Sequence, residues 1–447
     1  MKAYFIRRLL LVLPTLIGVT LIVFTVTRFV PGGPLEKALQ AAAAADDQGQ
    51  SNSDGKSSVL SDEDIEEMEE LYGLDKPILT AYGQWLGVLP KEDLIIKKEY
   101  EGQSIDPEVD ALTEARLVLR GDDRTVSVVR ESGEVKSFTY VNGEEIGKDP
   151  REDGWSVRIE SPADRVERKA RREGKDAEDI QERYSYRAVV FQKRFAGLLQ
   201  GNLGRSSVYG DSVWSMILER VPIALYFGVL STVIIYGVCI PLGVAKAIYH
   251  RTVFDNLSSI LIFIGYAVPG FALGAVCVVY LGARMNWFPI FGLTSEGFSD
   301  MSVWEQFKDL AHHTVLPLIC YVVSGFAYLT MMMKNNLMDN LSADYIRTAM
   351  AKGVSFKKAV VGHAFRNSFI PIATGLGGLI TLFVGGSMLV EKVFDIQGFG
   401  MLQLQAVQNN DYPVVLGTLT VSAFLMLIGN ILSDFIVSLV DPRIKFN

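Results

Sequence analysis

Three features of the chain could bind a ligand, and each has a simpler interpretation. Residues 49–57 read GQSNSDGKS, close to a phosphate-binding loop, but the first glycine lies one residue too far from the GKS end and no strand precedes it. His312 and His313 are adjacent, but we find no carboxylate or cysteine at ligand spacing and expect an exposed outer loop. Asp434 lies in an apolar segment, near one end, where we expect structural pairing or access to water.

The remaining candidate residues form no catalytic set. Cys239, Cys277 and Cys320 all fall within apolar segments, so we expect no disulfide in the fold and no metal site. Arg28 and Glu391 stand at the ends of apolar segments, and we interpret them as anchors at the membrane interface. Since no nucleophile has a base beside it, we predict that the chain is not an enzyme and carries no cofactor of its own.

Six segments are apolar for long enough to cross a membrane. A bilayer core requires about 20 apolar residues in a helix. Because lipid offers the backbone no hydrogen-bond partner, we expect a helix in each segment. The predicted spans are 9–30, 221–245, 257–283, 314–333, 370–390 and 413–440.

The distribution of lysine and arginine predicts the orientation of these spans. Lys2, Arg7 and Arg8 precede the first span and place the amino terminus in the cytoplasm. With six crossings the carboxyl terminus and the basic connections 246–256 and 334–369 also fall inside. The first apolar run is longer than the core of a signal peptide, so we expect an uncleaved helix. The fold class is therefore an all-α polytopic membrane protein with both termini cytoplasmic.

An acidic insert, residues 36–205, separates the first two spans and falls outside the cytoplasm. Ala38–Ser61 has the composition of a flexible linker, and Asp62–Tyr72 reads as a short acidic helix. We expect a turn at Glu131-Ser132-Gly133 and a charged helix over 162–184, which makes a small α+β module. The segments expected to form strands are ARLVLRG, RTVSVVR, VKSFTYV and WSVRIE.

These elements suggest four parts of the chain. They are 1–35, the first helix and turn; 36–90, a linker and short helix; 91–200, the α+β insert; and 201–447, a core of five helices with the loop 334–369.

The 334–371 segment, KNNLMDNLSADYIRTAMAKGVSFKKAVVGHAFRNSFIP, predicts two helices joined at Gly353. Gly353 can end the first helix in a left-handed cap, and Ser355 can cap the second. From the residues alone, a solvated positive loop remains an open alternative. The first helix would carry Met338, Leu341, Tyr345, Ala349 and Met350 on one side, and the second would carry Lys357, Lys358 and Arg366.

DYIRTAMAKG followed by HAFRNSFIP resembles the cytoplasmic EAA loop of permease subunits from binding-protein-dependent ABC importers. The likeness is strongest to the oligopeptide, dipeptide and nickel branch, although Arg347-Thr348-Ala349 replaces the general Glu-Ala-Ala. The long stretch between Trp85 and Gly201 departs from the family, which joins these parts closely. Further similar segments are YFIRRLLLVLPTLIGVTLIVFTVTRFVPGGP, YGLDKPILTAYGQW, GNLGRSSVYGDSVWSMILERVP, EKVFDIQGFG and NILSDFIVSLVDPR.

The resemblance implies a subunit of an importer for oligopeptides or dipeptides in the bacterial cytoplasmic membrane. Its partners would be a second homologous permease, two ATPase subunits that hold ATP and Mg, and an extracytoplasmic peptide-binding protein. The loop would dock in a cleft of the ATPase, while the residues that line the substrate path stay unassigned. Carried over by position, the coupling residues are Asp344, Tyr345, Ala349, Gly353, His363, Arg366, Asn367 and Pro371.

Several other functions stay open at this point. Within the same family the substrate could be nickel, glutathione or another small solute. A secondary transporter would show inverted repeats and paired charges at the midplane, and neither is visible. A membrane-anchored sensor or scaffold would explain the insert but not the cytoplasmic loop. No basic face interleaved with aromatic residues points to nucleic acid.

Overall fold

The computed structural model describes residues 2–29, 62–100, 113–119, 124–131, 133–143, 145–173, 175–180, 184–375 and 387–440. The expected linker Ala38–Ser61, the GQSNSDGKS segment within it and the turn residue Ser132 lie outside the described residues. Contacts divide the chain into two compact units. We call Met1–Lys37 with Leu203–Asn447 the membrane unit, and Ala38–Asn202 the insert unit.

The helices belong mostly to the membrane unit. In chain order they are α1 Lys2–Phe29, α2 Asp62–Tyr72, α3 Ile78–Leu86, α4 Pro162–Glu173, α5 Val213–Ile248, α6 Val253–Ala267, α7 Gly270–Cys277, α8 Val303–Ser342, α9 Asp344–Ala351, α10 Phe356–Ala359, α11 Phe365–Gly375, α12 Met388–Phe394, α13 Phe399–Gln408 and α14 Tyr412–Val440.

The helices of the membrane unit match the length that a bilayer requires. Within the described residues, α1, α5 and α14 are each long and apolar enough to cross a membrane. Two bent pairs raise the number of spans to as many as five: Val253–Ala267 with Gly270–Arg284, and Val303–Val323 with Gly325–Ser342 within α8. The chain is therefore a polytopic, mainly helical membrane protein.

The third expected span, 257–283, is not one continuous helix. Its two parts, α6 and α7, meet at 88°. The physical reason lies at Pro269, which has no amide hydrogen to continue a helix and occupies the cap position before α7. After Cys277 the chain continues as a π-helical turn, Val278–Arg284. The fifth expected span, 370–390, begins in α11, and residues 376–386 of it lie outside the described part.

The insert unit contains two three-stranded antiparallel sheets. One has the order β1-β6-β5 and the other β2-β3-β4, so the first sheet joins the two ends of the module while the second is built from neighbours. The expected acidic helix 62–72 is α2, whereas the helix expected over 162–184 ends at Glu173. Sequence analysis anticipated β2 to β5 and missed β1 and β6. The strands are β1 Lys91–Glu99, β2 Thr113–Val118, β3 Thr125–Glu131, β4 Glu134–Tyr140, β5 Trp155–Glu160 and β6 Arg187–Arg194.

A buried charge network joins α2 to the β1-β6-β5 sheet. Arg187, 1% exposed, pairs with Glu66 of α2 and donates from Nε to Glu160 Oε2 at 2.6 Å. Arg168 of α4 donates to the other oxygen of Glu160 at 2.9 Å. Burial disfavours the charged form of Glu160, but the guanidinium groups of Arg187 and Arg168 outweigh it and lower its pKa to about 2. Glu160 is therefore ionised at neutral pH, with its charge compensated by Arg187 and Arg168.

Replacing Arg187 with methionine should destabilise the insert unit, because two buried carboxylates lose their common cation. Breaking a buried ion pair costs about 3–5 kcal/mol. Limited proteolysis of the full-length protein in detergent should cut within the insert unit sooner than in the wild type. The control is Arg171→Met, since Arg171 has a side chain 76% exposed and pairs with Glu167 one turn away. Equal proteolysis of the two variants would contradict the assigned role of Arg187.

Candidate coupling loop

The loop between α8 and α11 begins with a sharp change of direction. Helix α8 continues to Ser342, Ala343 is extended with ψ 147°, and α9 starts at Asp344. The prediction of one helix from Met338 to Met350 is therefore wrong. The extended residue separates two helices, so that the short helix α9 can pack against the end of the long one.

Ile346 anchors α9 on the membrane unit. Its side chain is 2% exposed, whereas its neighbours in α9 are exposed or partly exposed. Because Ile346 is the one buried residue of this short polar helix, it determines which face of α9 packs against the rest of the membrane unit. The buried cluster that receives it includes Met333, Leu337, Ala359, Val360 and Ala364.

Gly353 ends α9 in the left-handed cap that the sequence predicts. Its φ is +89°, a conformation that strains any residue with a Cβ. The amide of Gly353 donates to Met350 O at 2.9 Å, and the amide of Val354 donates to Ala349 O at 3.2 Å. These two bonds satisfy carbonyls that the helix end would otherwise leave unpaired.

The second part of the loop is less regular than predicted. Ser355 occupies the cap position of α10, but its side chain makes no capping hydrogen bond. The chain then passes through a π-helical turn, Val360–Ala364, before α11. Pro371 lies inside α11 rather than at the end of the loop. It lines a cavity of about 380 Å³ together with Tyr236 and Tyr328 of α5 and α8.

Hydrogen bonds through Tyr345 connect three helices. The Tyr345 hydroxyl donates to Asn340 Oδ1 of α8 at 2.6 Å and accepts from Asn367 Nδ2 of α11 at 3.1 Å. Asp344 and Arg347 form a 3.7 Å ion pair that is almost fully solvated. Such exposed pairs contribute little stability, so the fold of the loop depends on Ile346 and Tyr345 rather than on its charges.

The loop presents large apolar side chains on its surface. Tyr345 and Met350 are 41% and 43% exposed, and Phe356 and Val361 are 50% and 64% exposed. The exposed lysines Lys357 and Lys358 adjoin Phe356. Exposed large apolar residues next to charges, as at Phe356, are typical of a surface that a partner covers.

The structure brings together part of the expected coupling set. Tyr345 contacts Asn367 directly, and Ala349 and Gly353 share the end of α9. Pro371 lies apart from them, in the cavity wall described above. The expected residues with exposed positions are Asp344, Tyr345, Gly353, His363, Arg366 and Asn367.

Glu391 is not an interfacial anchor, as we expected from its position, but a buried acceptor that is 2% exposed. Its carboxylate accepts hydrogen bonds from the Tyr321 hydroxyl at 3.1 Å and from the amide of Met401 at 2.6 Å. Met401 belongs to the first turn of α13, so Glu391 caps that helix from outside. A Cβ added at Gly398 would lie 2.6 Å from the carboxyl carbon of Glu391. A Cβ added at Gly400 would come similarly close to the backbone of Met388. The QGFG segment therefore provides the space that this carboxylate needs.

Two further acidic residues hold distant segments of the membrane unit together. Asp411, 1% exposed, accepts from the Ser206 hydroxyl at 2.5 Å and the Ser207 amide at 3.0 Å. Asp434 of α14 pairs with Arg8 of α1 and accepts from the Tyr4 hydroxyl at 2.9 Å. The prediction of structural pairing for Asp434 is confirmed.

The expectation for the adjacent histidines is wrong, because they lie in the first part of α8 and not in a loop. His313 is 7% exposed, and Asp309, a carboxylate one turn earlier, stands 3.5 Å from its Nε2. Ser295 Oγ lies 3.1 Å from the same nitrogen, and His312 Nε2 lies 2.7 Å from Trp287 O. In the described part of the chain no three potential metal ligands gather.

Replacing Ile346 with alanine should loosen the loop, because it removes the one buried side chain of α9. A large-to-small change in a core costs about 2–5 kcal/mol. Hydrogen exchange at the amides of residues 344–351 should accelerate, while exchange in α14 stays unchanged. The control is Thr348→Ala, at an exposed position of the same helix. Unchanged protection in Ile346→Ala would contradict the anchoring role.

Comparison with known proteins places these features in a family. Residues 239–446 match the model of the binding-protein-dependent transport system inner membrane component. The peptidoglycan transport system permease protein YejB of Agrobacterium fabrum is 30% identical in an alignment of 449 positions, which covers 100% of this chain and 99% of that protein.

Two further relatives align with a smaller share of the chain. The inner membrane ABC transporter permease YejB of Escherichia coli O157:H7 is 37% identical, over 60% of this chain and 75% of its own length. The oligopeptide transport system permease AppB of Bacillus subtilis is 32% identical, over 61% and 85%. The chain therefore belongs to the inner membrane permeases of binding-protein-dependent ABC importers, in the branch that contains the peptide permeases.

Proposed function

We propose that this permease transmits ATP-driven movement from separate ATPase subunits through α9 to the membrane helices, and so imports peptides. The observation that supports the proposal is the construction of α9. One buried residue, Ile346, attaches it to the bases of the membrane helices, while Tyr345 and Met350 remain on the surface for a partner. An apolar surface that is packed against the membrane helices can bind a partner and transmit the movement of that partner to the helices.

The orientation of the chain follows the distribution of its basic residues. Lysines and arginines of the 334–369 loop lie on the same side as the amino terminus if six spans cross the membrane. In this arrangement both termini and the loop face the cytoplasm, where ATPases act. The insert unit then lies on the extracytoplasmic side of the inner membrane.

The assembly that we propose contains a second, homologous permease and two ATPase subunits. These ATPases bind ATP and Mg and carry out hydrolysis, while an extracytoplasmic peptide-binding protein delivers the substrate. The coupling residues would be those of α9 and of the helices that follow, centred on Tyr345, Gly353 and Asn367. Transmission requires the loop to contact the ATPase differently in two states of the transporter.

Replacing Gly353 with proline should abolish uptake. Proline fixes φ near −65°, whereas this position requires +89°, and proline removes the amide that bonds to Met350. The measurement is co-purification of the ATPase subunits with a tagged permease, paired with peptide uptake by the complete transporter. Gly297→Pro is the matched control, since Gly297 also has a positive φ, +76°, but lies outside the loop. An ATPase that binds Gly353→Pro as well as it binds the wild type would refute the coupling role.

A second candidate substrate, fragments of peptidoglycan, is supported by one comparison. The Agrobacterium fabrum relative, whose name specifies peptidoglycan transport, aligns with the whole chain including residues 38–202. The relatives named for general or oligopeptide transport align with about 60% of it. The insert unit would then extend or gate the surface on which the loaded binding protein docks.

Deleting residues 91–194 should test the role of the two sheets of the insert unit. Lys91 and Arg194 are register partners in adjacent strands, so the two cut ends already lie side by side. We expect a deletion closed by a short glycine linker to keep ATPase binding but to lose affinity for the loaded binding protein. Uptake of a peptidoglycan-derived peptide and of an unmodified peptide is measured in parallel. Undiminished affinity and uptake of both would remove the insert from the proposed function.

A further inference from the structure

A buried cluster of charges joins three helices of the membrane unit near the coupling loop. Asp255, in the first turn of α6, is 3% exposed. Lys334 of α8 donates to its Oδ1 at 2.7 Å and its Oδ2 at 2.8 Å. Lys246 of α5 lies 3.0 Å from the same carboxylate. We call Lys246, Asp255 and Lys334 the base cluster.

The base cluster is completed by neutral groups rather than by a second acid. Lys246, 0% exposed, also donates to the hydroxyls of Ser258 and Ser259 at 2.7 and 2.8 Å. It donates as well to the backbone oxygen of Asp255 at 2.8 Å. His250 Nδ1, at 3.3 Å, is a further titratable group facing Asp255. One carboxylate therefore compensates two buried ammonium groups, and neither lysine can move away from it without leaving a charge unpaired.

The position of the cluster connects it to α9. Lys334 lies about two helical turns before the end of α8, where the chain breaks and α9 begins. Met333 and Leu337, on either side of Lys334, are both 0% exposed and belong to the buried cluster that holds Ile346. A displacement of α9 therefore acts on the segment of α8 that carries Lys334.

We infer that Asp255 is a positioning residue that makes α5, α6 and α8 move together when α9 moves. The pair Asp255–Lys334 carries the displacement to α6, which continues into the bent segment α7. This inference rests on the proposed function of the loop. A buried ion pair is weak evidence for stability, since apolar residues can replace it at no loss. An apolar contact would not reproduce the geometry of the Asp255–Lys334 pair, in which Lys334 donates to both oxygens of one carboxylate.

The test is the number of peptides imported per ATP hydrolysed by the complete transporter in proteoliposomes. We expect Asp255→Asn and Lys334→Met to keep ATPase binding and basal hydrolysis. Imported peptide per ATP should fall about tenfold, within the range of coupling between distant sites. A purely structural role would reduce the amount of assembled complex and leave this ratio unchanged. Lys392→Met, at an exposed lysine of α12, is the control.

The variant Lys334→Met keeps the inference testable if Asp255→Asn fails to insert. It breaks the pair, while Asp255 and Lys246 remain together as one carboxylate and one ammonium group. We expect this variant to assemble and to remain uncoupled.

The outcomes separate the two proposals. If the ATPase does not associate with the wild type, the proposed function fails before the base cluster is tested. If it associates, and an assembled Asp255→Asn or Lys334→Met variant imports as many peptides per ATP as the wild type, the inference about Asp255 is overturned.

Discussion

Buried backbone groups must find their hydrogen-bond partners within the protein, and two breaks in the membrane unit follow that constraint. Where α12 gives way to α13, the carboxylate of Glu391 takes up the Met401 amide, and Gly398 and Gly400 leave it room. At the bend between α6 and α7, Pro269 has no amide to satisfy. Irregular backbone thus occurs where the sequence supplies its own acceptor or omits the donor.

The same need for hydrogen-bond partners applies to a few polar residues that lie inside the membrane unit. Asp411 joins the segment before α5 to the start of α14, and Asp434 joins α1 to α14. Each carboxylate has at least two donors, so its desolvation is compensated. Together with Glu391, these acids hold elements that are far apart in sequence. The membrane unit therefore combines long apolar helices with a small number of specific polar contacts that set their relative positions.

Sequence reasoning found features with a local physical cause. Gly353 was identifiable because a left-handed helix end favours glycine, and β3 with β4 because β-branched residues flank a short turn. Features that depend on distant partners were not identifiable. Glu391 was interpreted as an interfacial charge because its partners, Tyr321 and Met401, belong to other helices. Strand β1 was missed because it is rich in lysine and glutamate and pairs with the distant strand β6.

The pairing of β1 with β6 also constrains the order in which the insert unit can fold. Lys91 must meet Arg194, whereas β2, β3 and β4 pair with neighbours a few residues away. Local pairs close quickly and distant ones slowly, because a long loop must first lose its conformational freedom. The β2-β3-β4 sheet can therefore form while the chain is still emerging. The β1-β6-β5 sheet must wait for its last strand, which leaves the edge of β1 unpaired until β6 has been made.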